Sequence, residues 1–224
     1  MAATEPNATL MDRYGLPPSE IEALSLQRVV AAIQEPEAWS QEERTIARRM
    51  VYAAGDMGLA KSIRFTGGPV EAGVAALRRG CTIVTDVRMA QVALDRTRAA
   101  ALGCPICCNI GNPEVLREAR NSNVARAAVA MRHAAGALDG GIAVIGNAPT
   151  ALLALLDMVD LGRVHPSLII GMPVGFVAAA ESKQELLARQ IPAICIEGSR
   201  GGSAVAAAAL NALLRLVAVP AASW

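Results

Sequence analysis

The sequence predicts an α/β protein: a three-layer α/β/α domain on a five-stranded, mainly parallel, doubly wound sheet, with N-terminal helices wrapping the core. Three observations carry that prediction. Short apolar runs recur at 82–85, 105–109, 142–146, 168–171 and 193–196. Helical patterns lie between them, and strands that are apolar along their whole length and alternate with helices belong to a parallel sheet covered on both faces. The 224 residues, 53% hydrophobic and 3% aromatic, can bury a full core built from Ala, Val, Leu and Ile.

In chain order, residues 1–18 read as a mobile lead-in ending in Pro17-Pro18, and residues 19–224 as one domain without a repeat or linker. Ser19 is placed to cap a helix from Glu20, with Glu22 at the capping-box offset and Ile21, Leu24, Val29 and Ile33 on its apolar face. Ser40-Gln41-Glu42-Glu43 is a cleaner capping box, opening a helix through Ile46 and Met50 towards Leu59. A third helix covers 70–78 and stops at Gly80. Between the strands, helices are expected at 88–94, 113–138, 148–161 and 174–188, and a last one at 204–216.

Composition excludes several functions. A net charge of +1 lacks the basic excess of a nucleic-acid footprint. The N-terminus MAATEPNATL has neither a basic nor an apolar signal region. The apolar stretch 204–222 is broken by Asn211, Arg215 and Pro220, so it reads as a core helix and not a membrane span. Cys104-Pro105-Ile106-Cys107 spells C-x-x-C but heads into a strand, whereas a redox motif opens a helix. The five cysteines, an odd number, fit a reducing cytoplasm. His133 lies mid-helix and His165 precedes Pro166, and no cluster has metal-ligand spacing, so no metal is expected. The phosphate-loop, nucleophile-elbow and dinucleotide glycine motifs are absent. What remains is chemistry needing little acid–base machinery, or a binding protein.

The ligand crevice of such a sheet lies outside the carboxyl ends of its strands. Those ends carry Asp86-Val87-Arg88, Gly146-Asn147-Ala148-Pro149-Thr150, Gly171-Met172-Pro173 and Gly198-Ser199-Arg200-Gly201-Gly202-Ser203. The last is a strand–glycine turn–helix unit that can present backbone amides to an anion. Gly201 and Gly202 would allow close approach, and Arg200 would add positive charge at the mouth. A plain strand-to-helix turn needing glycine for its backbone alone is the competing reading.

The blocks IGNAPTALLALLDMV (145–159), IIGMPVGFVAAAESKQEL (169–186) and GSRGGSAVAAAALNALL (198–214) resemble the precorrin-8X methylmutase (precorrin isomerase) family of cobalamin biosynthesis. PSEIEALS (18–25), ARRMVYAAGD (47–56), IVTDVRM (83–89) and ARAAVAMR (125–132) extend the resemblance over nearly all the chain after residue 18. The resemblance implies an isomerase that moves a methyl group from C11 to C12 of a tetrapyrrole, metal-free or cobalt-bearing. It also implies a homodimer with no separate cofactor, beside the cytoplasmic setting and the absence of nucleic-acid and membrane partners that composition suggests. Gly201, Gly202 and Ser203, beside Arg200, would bind peripheral carboxylates. Asp86, Asn147 and Thr150 would follow from the neighbouring loops, Ser25 matches a pocket serine, and Arg126 would sit near the ring. Arg88 and Lys183 stand equally as pocket residues or solvated charges. The family's catalytic histidine falls in a segment like Arg-Met-Val-His-Ala-Cys-Gly, where this chain has Tyr52. A phenol donates a hydrogen bond but holds its proton far more tightly than imidazolium. The resemblance therefore leaves three readings: a working methylmutase using Tyr52, a tetrapyrrole carrier that has lost the reaction, and, outside the family, an enzyme for a small phosphate or sugar.

Overall fold

The computed structural model describes residues 9–218. The elements begin with α1 (Leu10–Tyr14), α2 (Pro18–Ala32), α3 (Gln41–Ala54), a 3-10 turn (Met57–Ser62), β1 (Ile63–Thr66) and α4 (Pro69–Arg78). The alternating part follows: β2 (Ile83–Thr85), α5 (Arg88–Ala93), α6 (Arg96–Ala101), β3 (Ile106–Cys107), α7 (Pro113–Ser122), α8 (Arg126–Arg132), α9 (Ala135–Leu138), β4 (Ile142–Ile145) and α10 (Pro149–Asp160). β5 (Leu168–Gly171), α11 (Ala179–Leu187), β6 (Ala193–Ile196) and α12 (Ser203–Ala218) complete it. Part of the expected lead-in, residues 1–8, lies outside the described residues, whereas residues 10–14 are helical.

The sheet has six strands, not five, in the order β1-β6-β5-β4-β2-β3. β2 to β6 are parallel, while β1 joins the edge antiparallel to β6. β1 escaped the sequence reading for a physical reason. It is an edge strand with only Ile63 buried, and its Arg64 pairs with Glu197 just past β6, so no apolar run marks it. Side chains of the central strands alternate between two cores. Ile83, Ile142, Leu168, Ile170 and Ile194 pack with α3, α4 and α12. Val84, Ala143, Ile145, Ile169 and Cys195 pack with α8 and α10 on the opposite face.

Several helix boundaries differ from expectation. α2 starts at Pro18 with no side-chain cap, so residue 19 lies inside the helix, and Glu22 pairs with Arg49 instead of closing a capping box. The Ser40–Glu43 box is present in both directions, at 3.1 and 2.9 Å. α3 ends at Gly55, whose φ of 63° suits a residue without Cβ, well before Leu59. The stretch 113–138 is three helices, broken first at Asn123 with φ 52°. The stretch 174–188 becomes helical only at Ala179.

The parallel strands set the position of the site. The chain leaves β2 for β3 on one side, while β4 leads to β5 on the other. β2 and β4 are nonetheless adjacent. Their carboxyl ends form a switch point, where open α/β sheets hold ligands. Among the described residues no helix is long and apolar enough to cross a membrane, and no His/Cys/Asp/Glu group could hold a metal.

Candidate active site

At the switch point Asp86 leaves β2 and turns inward, only 1% exposed. Its carboxylate accepts the amides of Gly146 (3.2 Å), Asn147 (2.8 Å) and Ala148 (2.8 Å). Burial pushes the Asp86 carboxyl above its usual range, and the three amides pull against that shift. The start of α10 is thus filled by the protein's own anion. Asn147 is left exposed and Thr150 half-buried beside it. Asp86 was expected as a substrate contact, but its oxygens are committed to this loop.

The 198–203 turn is built differently. A side chain at Gly201 (φ 155°) would overlap the Met172 carbonyl, and Gly202 N–H donates to that same carbonyl at 2.9 Å. Gly175 N–H donates to the Ser199 carbonyl at 3.1 Å, tying the turn to the loop after β5. A Cβ on Gly146 would stand 2.6 Å from the Cα of Ser203, so the end of β4 touches the start of α12. Ser203 is 5% exposed, and its hydroxyl has no hydrogen-bond partner among the described residues. The guanidinium of Arg200, expected to add positive charge at the mouth, is engaged within the fold. It donates to Asp56 (2.7 Å), Ser62 Oγ (2.8 Å) and the Gly58 carbonyl (3.3 Å). That hydrogen bond holds the Asp56 carboxyl below the usual range. Arg200 therefore straps the turn to the connection that follows α3.

Tyr52 lies on α3, 40% exposed, on a ridge between two hollows. One, of about 250 Å³, is shared with Ser25, Arg28, Val29 and Met57. The other, of about 280 Å³, runs over an alanine floor (Ala204, Ala207, Ala208) to Asn211 and Arg215. Tyr52 thus meets Ser25 on one side and the first turns of α12 on the other. The Ser25 hydroxyl donates to its own helix, at Ile21 O (2.6 Å), which leaves the oxygen as an acceptor. Arg126 opens α8 and is exposed on a helix that packs against α10 and α7. Neither hollow beside Tyr52 includes it, nor Asn147 or Thr150. The two histidines pair with Glu118 and Asp139, apart from Tyr52.

A family model described as precorrin-8X methylmutase matches residues 20–216. The chain belongs to the precorrin-8X methylmutase family. Within that family, the cobalt-precorrin-8 methylmutase of Priestia megaterium is 40% identical over 196 residues, spanning 88% of this chain and 87% of the relative. The precorrin-8X methylmutase of Pseudomonas aeruginosa is 44% identical over 170 residues, 75% of this chain and 81% of its own. The crystal structure of the precorrin-8X methyl mutase of Thermus thermophilus superposes with a TM-score of 0.81 at 39% identity, covering 89% of this chain and 96% of that one.

Two residues of this methylmutase-family chain carry structural roles that sequence reasoning did not assign. Asp56 receives Arg200 from 144 residues away. Lys183, left between pocket and solvated surface, is fully buried and reaches the Arg200 carbonyl. Nothing local marks either role, because both partners are remote in sequence.

Proposed function

We propose that this chain moves a methyl group from C11 to C12 of precorrin-8X or cobalt-precorrin-8, the step of cobalamin biosynthesis for which its family is named. It is an isomerase of the corrin pathway. The observation that carries the reading is the family match across residues 20–216, which takes in both walls of the Tyr52 hollows. A shift within one bound molecule needs no nucleophile or separate cofactor. The protein has only to hold the ring in a reactive geometry and polarise it. The alanine floor of α12 supplies a flat apolar bed, and Tyr52 supplies a hydrogen bond to the ring. The turn at Gly201, with Ser203 and the first amides of α12, receives peripheral carboxylates at a helix start, while the Gly202 N–H stays on the Met172 carbonyl. Arg200, strapped to Asp56, holds that turn, and Asp86 supports the adjoining loop.

Each hollow is smaller than the roughly 300–1,000 Å³ usual for ligand pockets, so a tetrapyrrole would overhang both. A second copy of the chain would close over it. In such a homodimer, Arg126, Asn147 and Thr150 would reach the ring from the partner. The apolar side chains at 98% exposed Phe176 and 84% exposed Val177 would be covered. The setting is the cytoplasm.

The test is an absorbance time course with precorrin-8X and cobalt-precorrin-8 in parallel. Conversion to the corrin spectrum supports the reading, and the faster substrate identifies the route. Tyr52→Phe should then lower kcat about 100-fold while KM moves little, the pattern for a contact made mainly in the transition state. A bound but unchanged spectrum would instead make the chain a tetrapyrrole carrier, a reading favoured by Tyr52 standing where the resemblance places a histidine.

A further inference from the structure

Lys183 is the anomaly of this fold. It sits in α11 with no exposed surface, although lysine is rarely buried without a partner. Among the described residues no carboxylate pairs with it. Burial holds the Lys183 ammonium below its usual range, and the titratable group that acts against this, Cys195, has its own thiol pushed up by burial to about 12, so it stays neutral and cannot serve as counter-ion. The one hydrogen bond made by Nζ goes to the Arg200 carbonyl, at 2.6 Å.

That contact falls at the centre of the 198–203 turn. Residue 200 is gripped at both ends, its carbonyl by Lys183 and its guanidinium by Asp56 and Ser62. The following residue is wedged against the Met172 carbonyl, and the next donates to it. An uncharged donor such as glutamine could satisfy a carbonyl. A buried cation is costly there unless something negative answers it. The start of α12 favours an anion through its first-turn N–H groups and its dipole, and the Ser203 hydroxyl beside it is buried with no hydrogen-bond partner among the described residues.

We propose that Lys183 is the positioning residue of this turn: it fixes the Arg200 carbonyl so that the start of α12 stands ready for a substrate carboxylate, and its buried charge is answered when that carboxylate binds. The second half of this inference rests on the proposed function of the turn. The first half does not.

Two variants and two readouts separate them. Lys183→Met keeps the apolar stem but removes donor and charge, and Lys183→Gln keeps a donor alone. Circular dichroism identifies which variants fold, and the glutamine variant carries the test if the methionine variant does not. Without any tetrapyrrole, limited trypsin digestion reads cleavage after Arg200. It should quicken about tenfold in Lys183→Met and stay near the parent rate in Lys183→Gln, following the opening of the turn. With cobalt-precorrin-8, both variants should raise KM, by about tenfold for Met and less for Gln, with kcat held within about threefold. Unchanged cleavage and unchanged KM in the folded variants would overturn the proposal, as would a fall in kcat at constant KM. Failure of the parent protein to bind or convert tetrapyrrole would sink the proposed function, while the cleavage arm would still decide whether Lys183 anchors the turn.

Discussion

Two loops at the carboxyl edge of the sheet do the same topological work and end differently. The loop from β4 into α10 and the turn from β6 into α12 each follow a parallel strand and open a long helix. In the first, Asp86 occupies the amides, so the helix start is saturated from within the fold. In the second, the nearby charges face elsewhere: Arg200 to Asp56, and Lys183 to a carbonyl. Among the described residues, a buried hydroxyl is left without a partner. A helix start filled by its own carboxylate is scaffold. A helix start whose neighbouring cations turn to other partners, with an idle hydroxyl beside it, is not filled in that way.

The largest expected effect tests the scaffold half of this contrast. Asp86→Ala would strip three buried amides of their acceptor. It should cost about 2–4 kcal/mol in urea unfolding, the range for breaking a buried hydrogen-bonded charge site. A loss under about 0.5 kcal/mol would show that water substitutes freely at the switch point, and the loop would then be no more saturated than its neighbour.

How much of this was legible beforehand follows the same division. β5 and β6 were read to the residue, because strands buried on both faces write themselves as unbroken apolar runs. β1 was not, since an exposed antiparallel edge with Arg64 on it carries no such run. The short α6 was hidden in alanine and arginine, its only local mark being the Asp95 cap. In the site, the glycine turn was visible because Gly201 and Gly202 are local requirements of backbone geometry. The direction of Arg200 and the burial of Lys183 were not, because each depends on an element brought in from elsewhere in the chain. Local chemistry was readable, and long-range pairing was not.

The next effect addresses the other loop. Ser203→Ala removes a buried hydroxyl that bonds to nothing among the described residues, so stability should stay within about 0.5 kcal/mol or rise slightly. If the hydroxyl is kept for a ligand, KM for cobalt-precorrin-8 should still rise about fivefold. Stability and KM moving together would break the contrast, since Ser203 would then be a structural residue like Asp86.

The smallest effect is a pH dependence, and its sign comes from Asp86 itself. Burial raises its folded-state pKa above the unfolded value, the amides opposing this only in part. The stabilisation linked to its proton is therefore fully present below the unfolded pKa of about 4 and is lost as pH rises through the folded value. The opposite trend comes from Glu35, which burial pushes up but Arg48 and Arg44 pull down further, and from Asp160 beside Arg189. Those groups gain stability above the usual carboxylate range and lose it as pH falls, and they act equally in any Asp86 variant. Asp86→Asn has no proton to lose at this site, so thermal melts of the two proteins compared pH by pH isolate the term. The advantage of the parent over Asp86→Asn should shrink as pH climbs from about 4 towards neutrality. If it grows instead, the three amides outweigh burial, and the loop into α10 is the stronger anion site of the two, already occupied.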